Sequence, residues 1–361
     1  MRITNIILTK TYGGAEQVFL DYAKIFQELG HDISFVVKND VSFADDAKKI
    51  SHNLAQIEIK FGYFDIFAIN KIAKFLRKSN SDVVVAHGGR AIFLAKKAIA
   101  KINKKITLIA VNHSMNVKRS IGSDVVLNVN KEIFYKTVDL GQSFDRSFVI
   151  YNGIDFPENI DLSKINIDFS HKKTINLGTM GRLDKSKNIA DAIRSIDRLN
   201  KRFPGKFILK IAGSGEEEQN LKDLVFELNL QGQVQFLSWV DSSSRFFQEI
   251  DIFILPSLNE TFGLVILEAI RCYKPIIASK SDGPKEIIRH KKDGLLVDID
   301  QQMPNRIAAS VLAIISDKDL TNNMIKNSYQ RAVKHFSKKI LIQRLSAILN
   351  IIDTSRGDKF D

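Results

Sequence analysis

Two glutamates eight residues apart, Glu260 and Glu268, stand in the segment DIFILPSLNETFGLVILEAIRCYKP (251–275). An apolar run ends at Pro256, a polar loop carries Glu260, and a helical pattern starting near Gly263 carries Glu268 on its second turn. Glycine lets a ligand approach the backbone, and the free N–H groups and dipole of a helix start attract phosphate. Glu268 could then accept hydrogen bonds from a ribose while Glu260 addresses a sugar ring. Spacing alone does not decide this. Among 13 glutamates such a pair arises readily by chance, and a solvated loop residue next to a helix-surface residue is the other reading.

A second segment, TMGRLDKSKNI (179–189), sets Arg182 behind a strand and a glycine, with Lys187 five residues on. A departing nucleoside diphosphate gathers negative charge as its glycosidic bond breaks. A planar, bidentate guanidinium and a mobile ammonium can hold that charge without a divalent metal. Two surface cations on a loop are the plainer reading. Gly13-Gly14 follows the first strand and would let a phosphate or sugar come close. The pair is not GxGxxG, and VVKND puts Asp40 beyond the second strand, so dinucleotide binding is not supported. A tight turn explains the glycines equally well. His87 and His113 both close apolar runs, where a histidine is either structural or turned to a ligand. Asp298-x-Asp300 imitates a metal-binding pair, but it follows GLLVD and reads as a solvated strand end. No metal site is expected.

The elements that must position these residues alternate. Strands are expected at 2–9, 32–37, 82–87, 106–111, 124–129 and 148–152, and again at 175–180, 207–213, 234–239, 251–256, 275–279 and 294–298. Helical patterns separate most of them, which implies parallel sheets covered by helices. With 361 residues, 44% of them hydrophobic, the chain exceeds one comfortable core. The fold class is α/β: two Rossmann-like domains facing each other across a cleft, 1–160 and 161–336, then a C-terminal helix at 337–361 that could pack back on the first domain. Residues 152–173, polar and turn-rich, form the connection. In such sheets ligands bind outside the carboxyl ends of the strands, where every residue named above falls.

Taken together, GGAE (13–16), VIYNGID (149–155), GRLDKSKN (181–188), IAGSGEE (211–217), ETFGLVILEA (260–269) and SDGPKEII (281–288) resemble the retaining nucleotide-sugar glycosyltransferases of family 4, with GT-B architecture. The resemblance runs in order from residue 1 to about residue 300. It implies that Arg182 and Lys187 hold the donor diphosphate and that Glu268 binds the nucleotide ribose. Glu260 and the backbone at Phe262, Gly263 and Leu264 would meet the donor sugar and phosphates. Gly14 would line the cleft, Gly213 and Gly215 would shape the nucleotide pocket, and His113 occupies the place of the active-site histidine. It further implies transfer with retention, no cofactor and no metal, and a glycan or glycolipid acceptor in polysaccharide or lipopolysaccharide synthesis. Two positions depart from the pattern. Tyr273 stands where glycine is frequent, and Asn188 replaces a glycine, though Asn tolerates the left-handed backbone.

Charge leaves more open. The chain carries 53 Lys and Arg against 41 Asp and Glu, a net +12 divided as +6 in residues 1–165 and +6 in 166–361. A non-catalytic phosphate- or nucleic-acid-binding protein fits the sign of the charge, but no motif with stacking aromatics supports it, and no nucleic acid partner is expected. A nucleotide-sugar epimerase shares the architecture and would act without an acceptor. Segment 91–106 reads as one helix with Lys97, Lys101, Lys104 and Lys105 opposite an apolar stripe: a solvated face, or a peripheral contact with anionic membrane. Lys71, Lys74, Arg77 and Lys78 would add to it. The lone Cys272 excludes a disulfide scaffold. The opening apolar run is too short for a signal peptide, so a cytoplasmic location is expected, with peripheral attachment at the inner face of the membrane as its extension.

Overall fold

A computed structural model describes residues 1–10, 13–158, 160–237 and 243–357. The chain divides into two compact units, residues 1–152 with 341–361 and residues 153–340. Continuous apolar, β-branched runs cannot leave either face in water, so both sheets are parallel with helices between their strands.

The first unit holds β1 (Arg2–Ile7), β2 (Asp32–Lys38), β3 (Leu54–Ile57), β4 (Val83–His87), β5 (Thr107–Asn112), β6 (Val125–Asn128) and β7 (Ser147–Val149), ordered β3-β2-β1-β4-β5-β6-β7. The second holds β8 (Ile175–Met180), β9 (Phe207–Ala212), β10 (Val234–Leu237), β11 (Ile252–Leu255), β12 (Ile276–Ser279) and β13 (Leu295–Val297), ordered β10-β9-β8-β11-β12-β13. In each sheet the strand order reverses beside the first strand of the unit, at β1/β4 and at β8/β11, the crevice where such folds take ligands. Every expected strand is present. β3 was not anticipated: LAQI is short, and only Ile57 in it is buried. Ser238 and Trp239, the end of the expected strand 234–239, lie outside the described residues.

One helix departs from expectation. The stretch 91–106 is not a single helix: the helix runs Gly89–Ile99, and Lys101 and Ile102 turn back through bonds to Ala98 and Ile99 (3.1 and 2.9 Å). The reason lies in the next strand. Thr107 must begin β5 opposite Val83, so the chain has to leave the helix and reverse before it. Lys101, Lys104 and Lys105 therefore sit off the helix, and Ile106 is buried at the start of β5 rather than in a helical stripe. Cys272 is half-buried just past the end of the helix Leu264–Arg271.

Candidate functional site

In the second unit the switch point is occupied by two loops. Gly181 leaves β8 with φ 155°, a conformation that excludes most side chains, and Arg182 follows with its side chain more than half exposed. Asp184 accepts the backbone N–H of Ser186 at 2.9 Å and starts the short turn Lys185–Lys187. Asn188 ends the turn at φ 50° and ψ 40°, the left-handed geometry that a glycine would otherwise supply. The Lys187 side chain runs back past Gly181 and its Nζ donates to Glu260 Oε2 at 2.6 Å.

Glu260 reaches this point from the loop after β11. That loop is tied to the lysine turn by Leu258 N–H on Ser186 O (2.8 Å) and to the first turn of the helix Asp282–Ile287 by Gly283 N–H on Glu260 O (2.7 Å). A Cβ at Gly283 would sit 2.4 Å from Phe262 Cα, so only glycine allows the approach. Phe262 is buried with its ring 5.9 Å from Phe336, and Gly263, at φ 90°, leads into the helix beginning at Leu264. Gly213 and Gly215 act on the same machinery from behind. A Cβ on Gly213 would meet Gly181 O at 2.0 Å, and one on Gly215 would meet Leu183 O at 2.3 Å. Both glycines thus seat the backbone that carries Arg182. Glu268 has different neighbours. Burial raises its carboxyl pKa, opposed by Arg271 and by a hydrogen bond with Ser243. The sequence reading pointed to the Gly181 turn but gave Gly283 no role, because its need for glycine is created by Phe262, a residue remote from it in sequence.

In the first unit Gly14 opens the helix Gly14–Glu28 behind Gly13, whose carbonyl accepts from Gln17 N–H at 3.1 Å. His87 ends β4 and His113 follows β5. Their rings stack at 5.2 Å, and His87 Nδ1 and His113 Nε2 are 2.9 Å apart. Burial lowers both imidazoles, His113 to about 4 and His87, with His113 adding to the effect, well below its ordinary value. Both rings are therefore neutral at pH 7, and one proton lies between them. His87 Nε2 is buried without a hydrogen-bond partner among the described residues, at the edge of Phe19 and Tyr22 (centroids 5.6 and 5.4 Å). The bond joins His87 Nδ1 and His113 Nε2, one nitrogen donating and the other accepting. The preceding Asn112 is locked by bonds to Ser120 Oγ and Asn128 Oδ1, both 2.9 Å. The pairing of His87 with His113 was also missed, although both close neighbouring strands.

Asp298 and Asp300 are engaged by cations: Lys280 at 2.6 Å on Asp298, and Arg306 at 2.7 Å on Asp300. Among the described residues no three or more His, Cys, Asp or Glu side chains gather in a way that could hold a metal ion, and no helix is long and apolar enough to cross a membrane.

Residues 12–156 match the family model described as Glycosyltransferase Family 4, and residues 163–331 match that of Glycosyl transferases group 1. The chain is 24% identical over 350 residues to the lipopolysaccharide core biosynthesis glycosyltransferase LpsE of Rhizobium meliloti, covering 94% of this chain and 96% of LpsE. It is 25% identical over 374 aligned residues to the N-acetyl-alpha-D-glucosaminyl L-malate synthase of Bacillus anthracis, covering 96% of each. Among solved structures, HepE of Anabaena, in complex with UDP and glucose, superimposes with a TM-score of 0.81 at 19% identity, over 97% of this chain and 99% of that one. The two parallel-sheet units thus have the GT-B fold.

Proposed function

We propose, for a chain that belongs to the glycosyltransferases of family 4, transfer of a sugar from a nucleotide-diphosphate donor to an acceptor hydroxyl with retention at the anomeric carbon. The observation that carries this reading is the Lys187–Glu260 contact of 2.6 Å at the β8/β11 switch point, with Arg182 beside it on the loop that Gly181 opens. One mobile ammonium and one open guanidinium face the place where a diphosphate would leave, and a carboxylate aims the ammonium. Arg182 and Lys187 bind the departing charge, and Glu260 with the backbone of Phe262, Gly263 and Leu264 meets the donor sugar. Glu268 takes the ribose hydroxyls, and Gly213 and Gly215 hold the loop that lines the nucleotide. In the first unit, the family resemblance supports a part in donor binding for His113 and for the backbone at Gly14.

In the step itself the anomeric carbon loses its bond to the diphosphate oxygen. The acceptor oxygen bonds on the same face, and the acceptor proton passes to the leaving diphosphate. No metal is required, because the two cations neutralise the charge. The relatives' names, lipopolysaccharide core synthesis among them, support a cell-envelope glycan or lipid-linked acceptor.

A thermal-shift panel of uridine and guanosine diphosphate sugars, with and without EDTA, tests the donor side. Proton NMR of the product reads the anomeric configuration. Stabilisation by one nucleotide sugar that survives EDTA, and a product of the donor's configuration, are expected. Conversion of the donor with no acceptor present would point instead to epimerisation.

A further inference from the structure

The equal charge of the two halves conceals a concentrated one. Residues 59–105 contain 11 Lys and Arg against two acids, Asp65 and Asp82, so this segment holds +9 of the chain's +12. Neither acid faces the cations of the helix Ile66–Lys78. Asp82 pairs with Arg2 at 3.1 Å and Lys104 at 2.9 Å. Asp65 is buried and accepts the backbone N–H groups of Lys60 (2.7 Å), Phe61 (3.1 Å) and Ala68 (2.9 Å).

Within the same segment four large apolar side chains stand in water. Phe61 is 64% exposed, Phe64 77%, Ile66 62% and Phe67 71%. The helix Ile66–Lys78 already has a core face: Ala68, Ile69, Ile72, Ala73 and Leu76 pack into the core of the first unit. The aromatic cluster is therefore additional to the core, not a part of it left open. Nor is it a loose loop, because one carboxylate ties both its ends to the helix start. Behind the tip the outer face of the helix turns cationic, with Lys71, Lys74, Arg77 and Lys78 all exposed. At 1.5 Å per residue these charges extend to about 16 Å from Phe67, and lysine stems can bend toward a common plane.

We propose that residues 60–78 dock on an anionic lipid bilayer, the tip Phe61, Phe64, Ile66 and Phe67 entering the acyl boundary while the lysines meet headgroup phosphates. Apolar groups at one end and cations one to three turns behind are what an interfacial helix needs. A second copy of the chain is disfavoured, because it would press one cationic surface against another. An oligonucleotide would use the charge and leave the apolar tip unemployed. The surface lies on the first unit and needs no donor chemistry, so it can fail while nucleotide-sugar binding stands, and the reverse.

The test is flotation of the full chain at physiological salt with phosphatidylcholine vesicles with and without phosphatidylglycerol. Binding is expected only with the anionic lipid. The Phe64→Ser/Phe67→Ser double variant should lower the partition by about tenfold or more, and Lys71→Gln/Lys74→Gln by about fivefold for each charge removed. All these side chains are exposed, so melting temperatures should stay unchanged. In Phe67→Trp, emission should shift to the blue with anionic vesicles and be quenched by brominated acyl chains, beyond the response of Trp239 in the parent. The proposal is overturned if anionic vesicles do not bind, or if the Phe variants bind as well as the parent. It is equally overturned if the variants instead abolish a concentration-dependent dimer in light scattering, or abolish oligonucleotide binding in a protein that ignores vesicles.

Discussion

Lys187 and Glu260 are 73 residues apart in sequence and 2.6 Å apart in space. In the proposed reaction the ammonium serves a leaving diphosphate only while it is aimed. Lys187→Ala removes the charge and Glu260→Ala removes what aims it, so each should lower kcat by roughly 100-fold or more. Both sites are partly solvated, and circular dichroism should report a folded protein. Near-parental release of nucleoside diphosphate in either variant would sink the assignment. The histidine pair makes a second prediction. Unfolded, His113 titrates near 6.5; folded, near 4. Between those values the unfolded chain binds more protons, so stability falls as pH drops from about 6.5 to about 4. His113→Asn should flatten that slope in pH-dependent thermal melts. His87→Phe keeps the packing but removes the hydrogen-bond partner of His113 Nε2. It should cut turnover about tenfold, by freeing the His113 ring to reorient.

At the scale of elements, the strands were legible because a period is a local property. Every expected run in 175–298 became a strand, whereas β3 escaped since LAQI shows little apolar pattern. Helix ends are less local. The end at Ile99 is set by the register of β5 on β4, which no residue between 91 and 106 announces. Loop shape is similar. Gly213→Ala would drive a methyl to 2.0 Å from Gly181 O at φ 137°, costing more than about 2 kcal/mol and displacing Arg182. Gly205→Ala also has positive φ, 72°, but meets nothing within 4 Å, so only about 1 kcal/mol of backbone strain is expected. Chemical denaturation combined with nucleotide-sugar titration separates the two: the first should lose donor affinity and the second should keep it. Tyr273, flagged where glycine is frequent, indeed takes φ 56°. Its ring stacks on Tyr329 at 5.2 Å, an offset to the strain that glycine could not supply.

On the scale of the molecule, the second unit is one continuous stretch of chain, residues 153–340, whereas the first is completed from elsewhere. The first unit recruits residues 341–361, and from this segment Leu341, Leu345, Ile348, Leu349 and Ile352 are buried. Arg344 lies 5.2 Å over the Tyr151 ring in the same unit. Leu345→Ala should therefore cost about 2–4 kcal/mol, read as a melting temperature lowered by several degrees. Gln343→Ala, on the exposed face of that helix, should change stability by no more than about 0.5 kcal/mol. Equal losses in the two variants would mean that the helix contributes no core.

The sequence by itself determined the α/β class, the two series of strands, and the motif residues at their carboxyl ends, because hydrophobic period and turn chemistry are written within a dozen residues. It also carried the resemblance to family 4, since that rests on the order of short motifs. Only the tertiary structure decided that Lys187 meets Glu260, that His87 pairs with His113, which glycines are obligatory, and that four apolar side chains beside a cationic helix face stay in water. Such contacts depend on which backbone segments the sheet register brings together and which surfaces the packed core leaves uncovered. Both are properties of the assembled chain, and no single stretch of residues contains them.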